Sequence, residues 1–575
     1  MQVIHFRRPI GHAKGRPVEP AARERVRALV GPAPLVRDRL IEYLHLVQDA
    51  EGCLPQPLLA ALAEAMRLAP AEVYEVATFY HHFDVLAPGE APGPSLTVRV
   101  CESLSCEMAG AHRLIDALRR TLGDGVRVQP VPCVGHCDGA PVAVVGQRPV
   151  RAATATAVGE AVAAAQAPAP AGAAARRCPA PLAASVADAR LNGAYELVAA
   201  LHAGARTRES VFDELERAGL RGLGGAGFPT GRKWRIVAAE NGPRHVVVNA
   251  DEGEPGTFKD RHYLERDPHA FLAGLLIAAW AVRADDCYIY LRDEYAGLRA
   301  MLERAIAELA AEPPVPALAM PRLHLRRGAG AYICGEESAL IESLEGKRGT
   351  PRLRPPYVAQ VGLFGRPTLV NNVETLYWVP QILARGAGWF AGHGRRGRVG
   401  LRSFSVSGRV REPGVKLAPA GISLRELIAE HCGGMAPGHQ LYAYLPGGAS
   451  GGILPASLAD LPLDFDTLQP HGCFIGSAAV IVLSQADRAR DAAASMMHFF
   501  RHESCGQCTP CRVGTAKAAD LLAAPHWDSE LLEALSQTMV DASICGLGQA
   551  APNPVLSVLR HFSGEVGVAP AERAS

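Results

Sequence analysis

The chain reads as a multidomain α/β protein. Three observations say so: apolar residues switch repeatedly between helical spacing and short strand-like runs, glycine-rich loops follow several of those runs, and an Ala/Pro-rich stretch splits the pattern. With 575 residues there is material for several domains, each able to bury its own core.

Residues 20–90 carry IEYLHLVQDAEG, LPQPLLAALAEAMRL and PAEVYEVATFYHHF, apolar at helical spacing with Pro and Gly punctuation, which predicts a helical bundle. Over 95–165 the texture changes. LTVRVCESLSC is a strand entering a cysteine loop, AHRLIDALRRTL an amphipathic helix, and VRVQPVPCVGHC a second strand and loop, so an α/β sandwich is expected. The run ATAVGEAVAAA can close that domain as a helix. Residues 166–190, mostly Ala, Pro and small polar residues, cannot bury a core and read as a linker. A larger α/β domain spans 191–395, with strands RHVVVNA and CYIYL and helix PHAFLAGLLIAAWAV. Residues 396–485 combine short strands, such as RSFSVSGRV and LYAYLPGG, with one helix, LRELIAEHC, as in a β-grasp unit. Residues 486–560 are helical.

Lys+Arg number 59 and Asp+Glu 58, for a net charge of +1, so no field exists to attract nucleic acid or an anionic membrane surface. The 14 cysteines sit in local clusters, a pattern of metal ligation in a reducing compartment. The start, MQVIHFRRPIGHAKGRP, lacks an apolar signal core, and no charge-free apolar stretch approaches about 18 residues. A cytoplasmic protein without membrane insertion is expected.

Cys505, Cys508 and Cys511 in ESCGQCTPCRVGT, with Cys545 a helix-length downstream in SICGLG, are spaced for a 4Fe-4S cluster. One tight C-x2-C-x2-C loop presents three thiolates to three corners of a cube and the remote cysteine closes the fourth. Zinc is the rival, although structural zinc sites usually pair two C-x2-C knuckles. Cys101 and Cys106 form a C-x4-C pair, and Cys133 and Cys137 a C-x3-C pair, each after a strand. Two neighbouring loops of this kind suit a 2Fe-2S rhombus, with tetrahedral zinc as the alternative. His136 reads as a loop residue able to tune the cluster by hydrogen bonding. Cys53, Cys178, Cys287, Cys432 and Cys473 lack partners at ligand spacing and read as small apolar residues, and Cys334 as structural.

The stretch RGLGGAGFPTGRKW supplies glycines that let backbone approach phosphate or a flat ring. Alone it only loosely meets a dinucleotide fingerprint. VVVNADEGEPGTFKDR then places Asn249, Asp251, Glu252 and Glu254 after an apolar strand, and RRGAGAYICGEESAL supplies Tyr332 for stacking and Glu336 and Glu337 at a helix start.

These strings, with SLEGKRGTPRLRPPY, PTLVNNVETL and ESCGQCTPCR, closely resemble the flavoprotein subunit of respiratory complex I and its soluble relatives. The region from EGCLP through ATFYHHF to VGHCDGAP resembles that complex's thioredoxin-like 2Fe-2S subunit. A fusion of the two is similar to the diaphorase subunit of soluble NAD-reducing hydrogenases. The resemblance implies a thioredoxin-like domain, a Rossmann-like FMN/NADH domain, an SLBB-like β-grasp domain and a helical 4Fe-4S domain. It implies FMN against Gly222, Gly224, Lys233, Asn249, Asp251, Glu252, Tyr332, Gly335, Glu336, Asn371 and Asn372. NAD(H) would meet Gly225, Ala226, Phe228, Glu254, Glu337, Arg354 and Tyr357. Leu223 departs from the basic residue common there, and Arg354 and Tyr357 stand where some relatives have Lys and Phe. No side chain is implied as a proton-transfer catalyst: hydride passes at FMN, with Glu254 and Glu337 positioning the nicotinamide.

The implied activity is an NADH:acceptor oxidoreductase, a diaphorase joining NAD(H) to iron–sulfur chains, with the 4Fe-4S cluster as first acceptor. The implied partners are an iron–sulfur electron-transfer subunit and a hydrogenase. An NAD-dependent formate dehydrogenase or complex I is the alternative, and a noncatalytic zinc scaffold the remote one. No nickel or molybdenum ligand pattern occurs, so such centres would lie on other chains.

Overall fold

The computed structural model describes residues 18–167 and 185–567. Cys178, the N-terminal run and most of the expected linker lie outside them. The described residues divide into two compact units, one within 1–93 together with 345–348, the other within 94–344 and 349–575.

The first unit is helical, as its periodicity requires. Helices Pro20–Val30, Leu40–Glu51, Gln56–Met66 and Pro70–Phe79 bury Val26, Leu44, Val47, Leu62, Val73 and Val76. Proline stands in the first turn of three of them, where no hydrogen bond is lost. The returning segment 345–348 is tied in by the Tyr80 hydroxyl, which donates to the Lys347 carbonyl at 2.8 Å.

In the second unit, Leu96–Cys101 pairs parallel with Val126–Val131 and antiparallel with Ala143–Val145, and Arg148–Val150 adds the last strand. Helices Ala111–Thr121 and Ala155–Gln166 cover this sheet and bury Leu114, Ile115, Leu118, Val158 and Val162. The chain resumes as helix Val186–Leu191, inside the stretch read as linker. Val186 and Ala189 enter the core of the next domain. Composition cannot show this, because Ala and Val serve a linker and a packed helix equally well.

The central sheet is wholly parallel, in the order Arg322–Arg327, Ala284–Leu291, Arg244–Ala250, Thr368–Asn372. Helix Pro268–Val282 buries nearly every residue, which explains its unbroken apolar sequence. Chain order reverses between Arg244–Ala250 and Thr368–Asn372. A parallel α/β sheet opens a crevice at the carboxyl ends of strands flanking such a reversal. Both strands end in the asparagines and acids singled out by sequence: Asn249 and Asp251 on one, Asn371 and Asn372 on the other.

The β-grasp unit is a five-stranded sheet ordered Gly414–Pro419, Leu401–Gly408, Ala479–Ser484, Leu441–Leu445, Leu454–Pro455. Its helix Leu424–His431 starts at a capping box between Ser423 and Glu426. Helices Ala489–Glu503, Thr509–Leu522, Ser529–Ala542, Gly546–Ala550 and Asn553–His561 end the described chain. No helix among the described residues is long and apolar enough to cross a membrane.

Gly274 lets helix Pro268–Val282 pack against helix Val373–Arg385, since a Cβ there would lie 2.0 Å from the Leu376 carbonyl oxygen. Gly274→Ala should therefore destabilise the protein by about 1–3 kcal/mol. Gly388→Ala, where a Cβ meets nothing within 4 Å, should not. Denaturant unfolding of the two variants checks the contrast.

Candidate functional site: a polar cavity between two cysteine quartets

The crevice holds a cavity of about 350 Å³. The part of its wall that the sequence nominates comes from the glycine loop (Gly224, Gly225, Ala226), the loop after strand Arg244–Ala250 (Asn249 and 251–254), the turn at Tyr332–Glu336, and Asn372. Gly225 holds φ +124°, a conformation that residues with a side chain rarely adopt.

The carboxyl groups here are buried, and that sets their protonation. The Asp251 Oδ2 atom is buried without a hydrogen-bond partner, and burial pushes the carboxyl up to about 8. Burial also raises Glu254, against the opposing hydrogen bonds it accepts from the Tyr332 hydroxyl and from Ser450, whose N–H lies at 2.9 Å and Oγ at 2.7 Å. Glu252 is raised to about 7, first by burial and then by the charge of Asp260. Its oxygens accept from the Asp260 and Arg261 N–H groups at 2.8 and 3.2 Å and from the Tyr295 hydroxyl at 3.1 Å. Glu252 thus ties down the first turn of helix Lys259–Arg266 while standing in the cavity wall.

Several expected residues stand away from the cavity wall. The Gly222 N–H closes the glycine loop on the Phe228 carbonyl, and Asn371 accepts from the Trp234 indole at 2.9 Å. Lys233 pairs with Glu337 at 3.3 Å, while Arg354 reaches both Glu336 and Glu337. Phe228 and Tyr357 are exposed, and Leu223 is buried, its N–H donating to Thr375.

Sequence reasoning passed over other wall residues. Lys259, 1% exposed, stands in the wall, 2.7 Å from Asp260, 3.2 Å from Glu374 and 3.2 Å from the Asn372 amide oxygen. It was legible as the lysine of GTFKDR, directly downstream of the acidic loop. Ser450, Phe474, Gly476 and Ser477 come from the β-grasp unit, and Gly546, Leu547 and Ala550 from the C-terminal helices. Nothing local in the sequence marks these, because only the tertiary fold carries them to the site.

Cys101, Cys106, Cys133 and Cys137 are all buried, at the ends of strands Leu96–Cys101 and Val126–Val131, and the Cys133 and Cys137 sulfurs are 3.2 Å apart. Cys101 lies within hydrogen-bond reach of both Cys106 and Cys133. The second quartet gathers Cys505 and Cys508 before helix Thr509–Leu522, Cys511 inside it, and Cys545 before helix Gly546–Ala550. Burial holds Cys511 up at about 12 and Cys545 at about 11, each raised further by charge on its sister thiols. Thiols so reluctant to ionise alone need a cation to displace their protons. None of the described cysteines forms a disulfide.

The two quartets flank the cavity through single peptide links. The Gly256 N–H donates to Cys137, and buried Phe258 packs on Cys133 and Cys137, within the loop that supplies Glu252, Glu254 and Thr257 to the wall. On the other side, the N–H groups of Leu547, itself in the wall, and Gly548 donate to Cys545. The residues present fit a flat heterocycle with a phosphate tail: an unpaired acid for a ring atom, a buried lysine, and glycine backbone.

Such a fold and site define a flavin- and iron–sulfur-bearing α/β redox protein, and comparison with known proteins agrees. Family models match as the Nuo51 FMN-binding domain (residues 215–381), the thioredoxin-like [2Fe-2S] ferredoxin (27–166), the SLBB domain (403–454) and the NADH-ubiquinone oxidoreductase-F iron–sulfur binding region (491–568). NADH dehydrogenase [ubiquinone] flavoprotein 1, mitochondrial, of Dictyostelium discoideum is 44% identical over 376 residues, 62% of this chain and 78% of its own. The mitochondrial NADH-ubiquinone oxidoreductase 51 kDa subunit of Neurospora crassa is 43% identical over 374 residues, 62% of this chain and 76% of its own. A chain of the NAD+-reducing [NiFe]-hydrogenase, solved in the H2-reduced state, superposes with TM-score 0.79 at 34% identity, covering 93% of this chain and 94% of that one. The chain belongs to the family of complex I 51-kDa NADH-binding flavoproteins, in the form fused to a thioredoxin-like 2Fe-2S domain. Its matched domains make it an NADH-oxidising subunit using FMN, one 2Fe-2S and one 4Fe-4S cluster.

One consequence of the buried acid is measurable without cofactor. Asp251 ionises near 3.8 when unfolded but only at about 8 in the fold, so the folded state binds the extra proton between those values. Stability of flavin-free protein should fall as pH rises through that window, and the loss is complete above about pH 8. Asp251→Asn should flatten the fall. Thermal midpoints of the two proteins, alike near pH 4 and diverging towards pH 8 in favour of the variant, check it.

Proposed function

We propose that this chain is the diaphorase subunit of a cytoplasmic NAD-reducing hydrogenase, exchanging electrons between NAD(H) and an iron–sulfur subunit that leads to the hydrogenase centre. The likeness to the hydrogenase chain over nearly the full length of both, including the fused N-terminal part, supports this partner over formate dehydrogenase or complex I.

The observation that carries the reading is the placement of one polar cavity with a cysteine quartet joined to its wall on each side. FMN, when bound, supplies the conversion between two-electron hydride exchange with nicotinamide and single-electron exchange with clusters. The chain's own residues hold and orient. Gly224, Gly225 and Ala226 offer backbone to the nucleotide, and Asn249 and Asn372 present amides at the strand ends. Asp251, kept protonated at neutral pH by its burial, is a hydrogen-bond donor in the wall. Tyr332 and Glu254, fixed by their mutual hydrogen bond and by Ser450, form the face on which nicotinamide is received. Lys233, Glu337 and Arg354 form a charged network beyond the wall that meets the phosphates and the second nucleotide. Cys101, Cys106, Cys133 and Cys137 hold the two-iron cluster, and Cys505, Cys508, Cys511 and Cys545 the four-iron cluster. The domain limits 20–90, 95–165, 191–395, 396–485 and 486–560 belong to the same reading.

Cys508→Ser should keep FMN but lose the four-iron magnetic-resonance signal, and NADH-dependent viologen reduction should fall on the order of tenfold or more. Unchanged signals would overturn the ligand assignment. Anaerobic co-purification with metal analysis tests the partner: nickel is expected, and molybdenum would replace hydrogenase by formate dehydrogenase.

A further inference from the structure

Arg292 is 5% exposed, at the end of strand Ala284–Leu291, and its guanidinium spans two peptide carbonyls. One belongs to Cys133, at 2.7 Å, and the other to Glu252 in the cavity loop. It lies 5.2 Å over the Tyr295 ring, whose hydroxyl bonds the Glu252 carboxylate. The same charge acts on the Cys133 thiol and on Asp251. Arg292 is therefore a buried cation bonded both to a residue of the first cysteine quartet and to the nucleotide-cavity loop.

That cation is partly cancelled. Glu294 receives two bonds from Arg292, at 3.0 Å from Nε and 2.9 Å from a terminal nitrogen, and its own side chain is 28% exposed. Other charges near the cysteine loop are Arg261, donating to the Gly135 carbonyl at 3.0 Å, and Asp138, which pairs with Arg261 at 3.0 Å and with Arg151 at 2.6 Å. Arg261 is thus balanced by two carboxylates, Asp138 and Glu265, the latter at 3.2 Å. Arg292 pairs with the carboxylate of Glu294, and its two remaining hydrogen bonds go to neutral carbonyls.

The geometry points to the Arg292–Glu294 pair as the device that sets the reduction potential of the 2Fe-2S centre relative to the nucleotide site. The inference rests on the reading that Cys101, Cys106, Cys133 and Cys137 hold that cluster. Reduction adds one electron, and hence one negative charge, to the cluster and its thiolates. A fixed cation beside Cys133 stabilises the added charge and raises the potential, and the adjoining carboxylate draws it back down. Buried sites feel such charges strongly because little water screens them. Arg292 is a positioning and tuning residue here, since it touches peptide groups and not the cluster ligands' sulfurs.

The test is a potentiometric titration of the full-length, cluster-loaded protein, with the two-iron magnetic-resonance signal as readout and the four-iron midpoint as internal reference. Arg292→Gln should lower the two-iron midpoint, Glu294→Gln should raise it, and Arg292→Lys should restore it towards the parent value, all with the four-iron midpoint unmoved. A merely structural role predicts no opposite signs. The proposal is overturned if Glu294→Gln leaves the midpoint unchanged or shifts it in the same direction as Arg292→Gln. Glu294→Gln, at a partly exposed position, decides the matter if Arg292→Gln fails to assemble the cluster. Absence of any two-iron signal in the parent protein sinks the cluster assignment, and the proposal with it.

Discussion

Ionisable groups buried around a crevice at the ends of two parallel strands are the constraint on which the rest of this structure depends. Carboxylates removed from water must be neutralised, paired or hydrogen-bonded, and all three solutions appear. Asp251 keeps its proton. Glu252 is held by the first turn of helix Lys259–Arg266 and by Tyr295. Asp260 and Glu374 share buried Lys259, which they hold well above the usual lysine range against the cost of its burial. Glu252, Lys259, Asp260 and Glu374 hold one another through these bonds, which fasten the end of the loop from Asn249 to Lys259. Rigidity of this kind is what a redox site needs, because electron exchange tolerates little change in separation.

The same loop explains how two domains of different fold act as one device. Its inner side forms the cavity and its outer side, through Gly256 and Phe258, touches the cysteines of the thioredoxin-like domain. Ser105 and Ser407 join across the same boundary at 2.9 Å, linking that domain to the β-grasp sheet. On the opposite wall the helix Gly546–Ala550 both bounds the cavity and begins at Cys545. The β-grasp unit completes the site by contributing Ser450 to Glu254 and Ser477 to Thr257.

Much of this was legible in the sequence, for identifiable reasons. Cysteine spacing marks both quartets because thiolate geometry restricts loop length, and the apolar helix Pro268–Val282 announces a buried crossover. Asn249, Asp251 and Glu254 are visible because they cluster as polar side chains at the end of a buried apolar strand. Asn371 looks identical at that level yet turns inward to Trp234, while Glu252 stays in the cavity wall and also anchors helix Lys259–Arg266. That distinction depends on which way each side chain leaves the strand end. Ser450, Ser477 and Leu547 are far from the motifs in the chain, and no local pattern could nominate them.

On this account one nucleotide cavity communicates with a four-iron centre through the Leu547–Cys545 contact. Anaerobic titration of fully loaded protein with NADH, followed by visible and magnetic-resonance spectroscopy together, tests it most directly. Bleaching of the flavin band should be accompanied by growth of the reduced four-iron signal. Flavin that bleaches completely while that cluster stays oxidised would contradict the account.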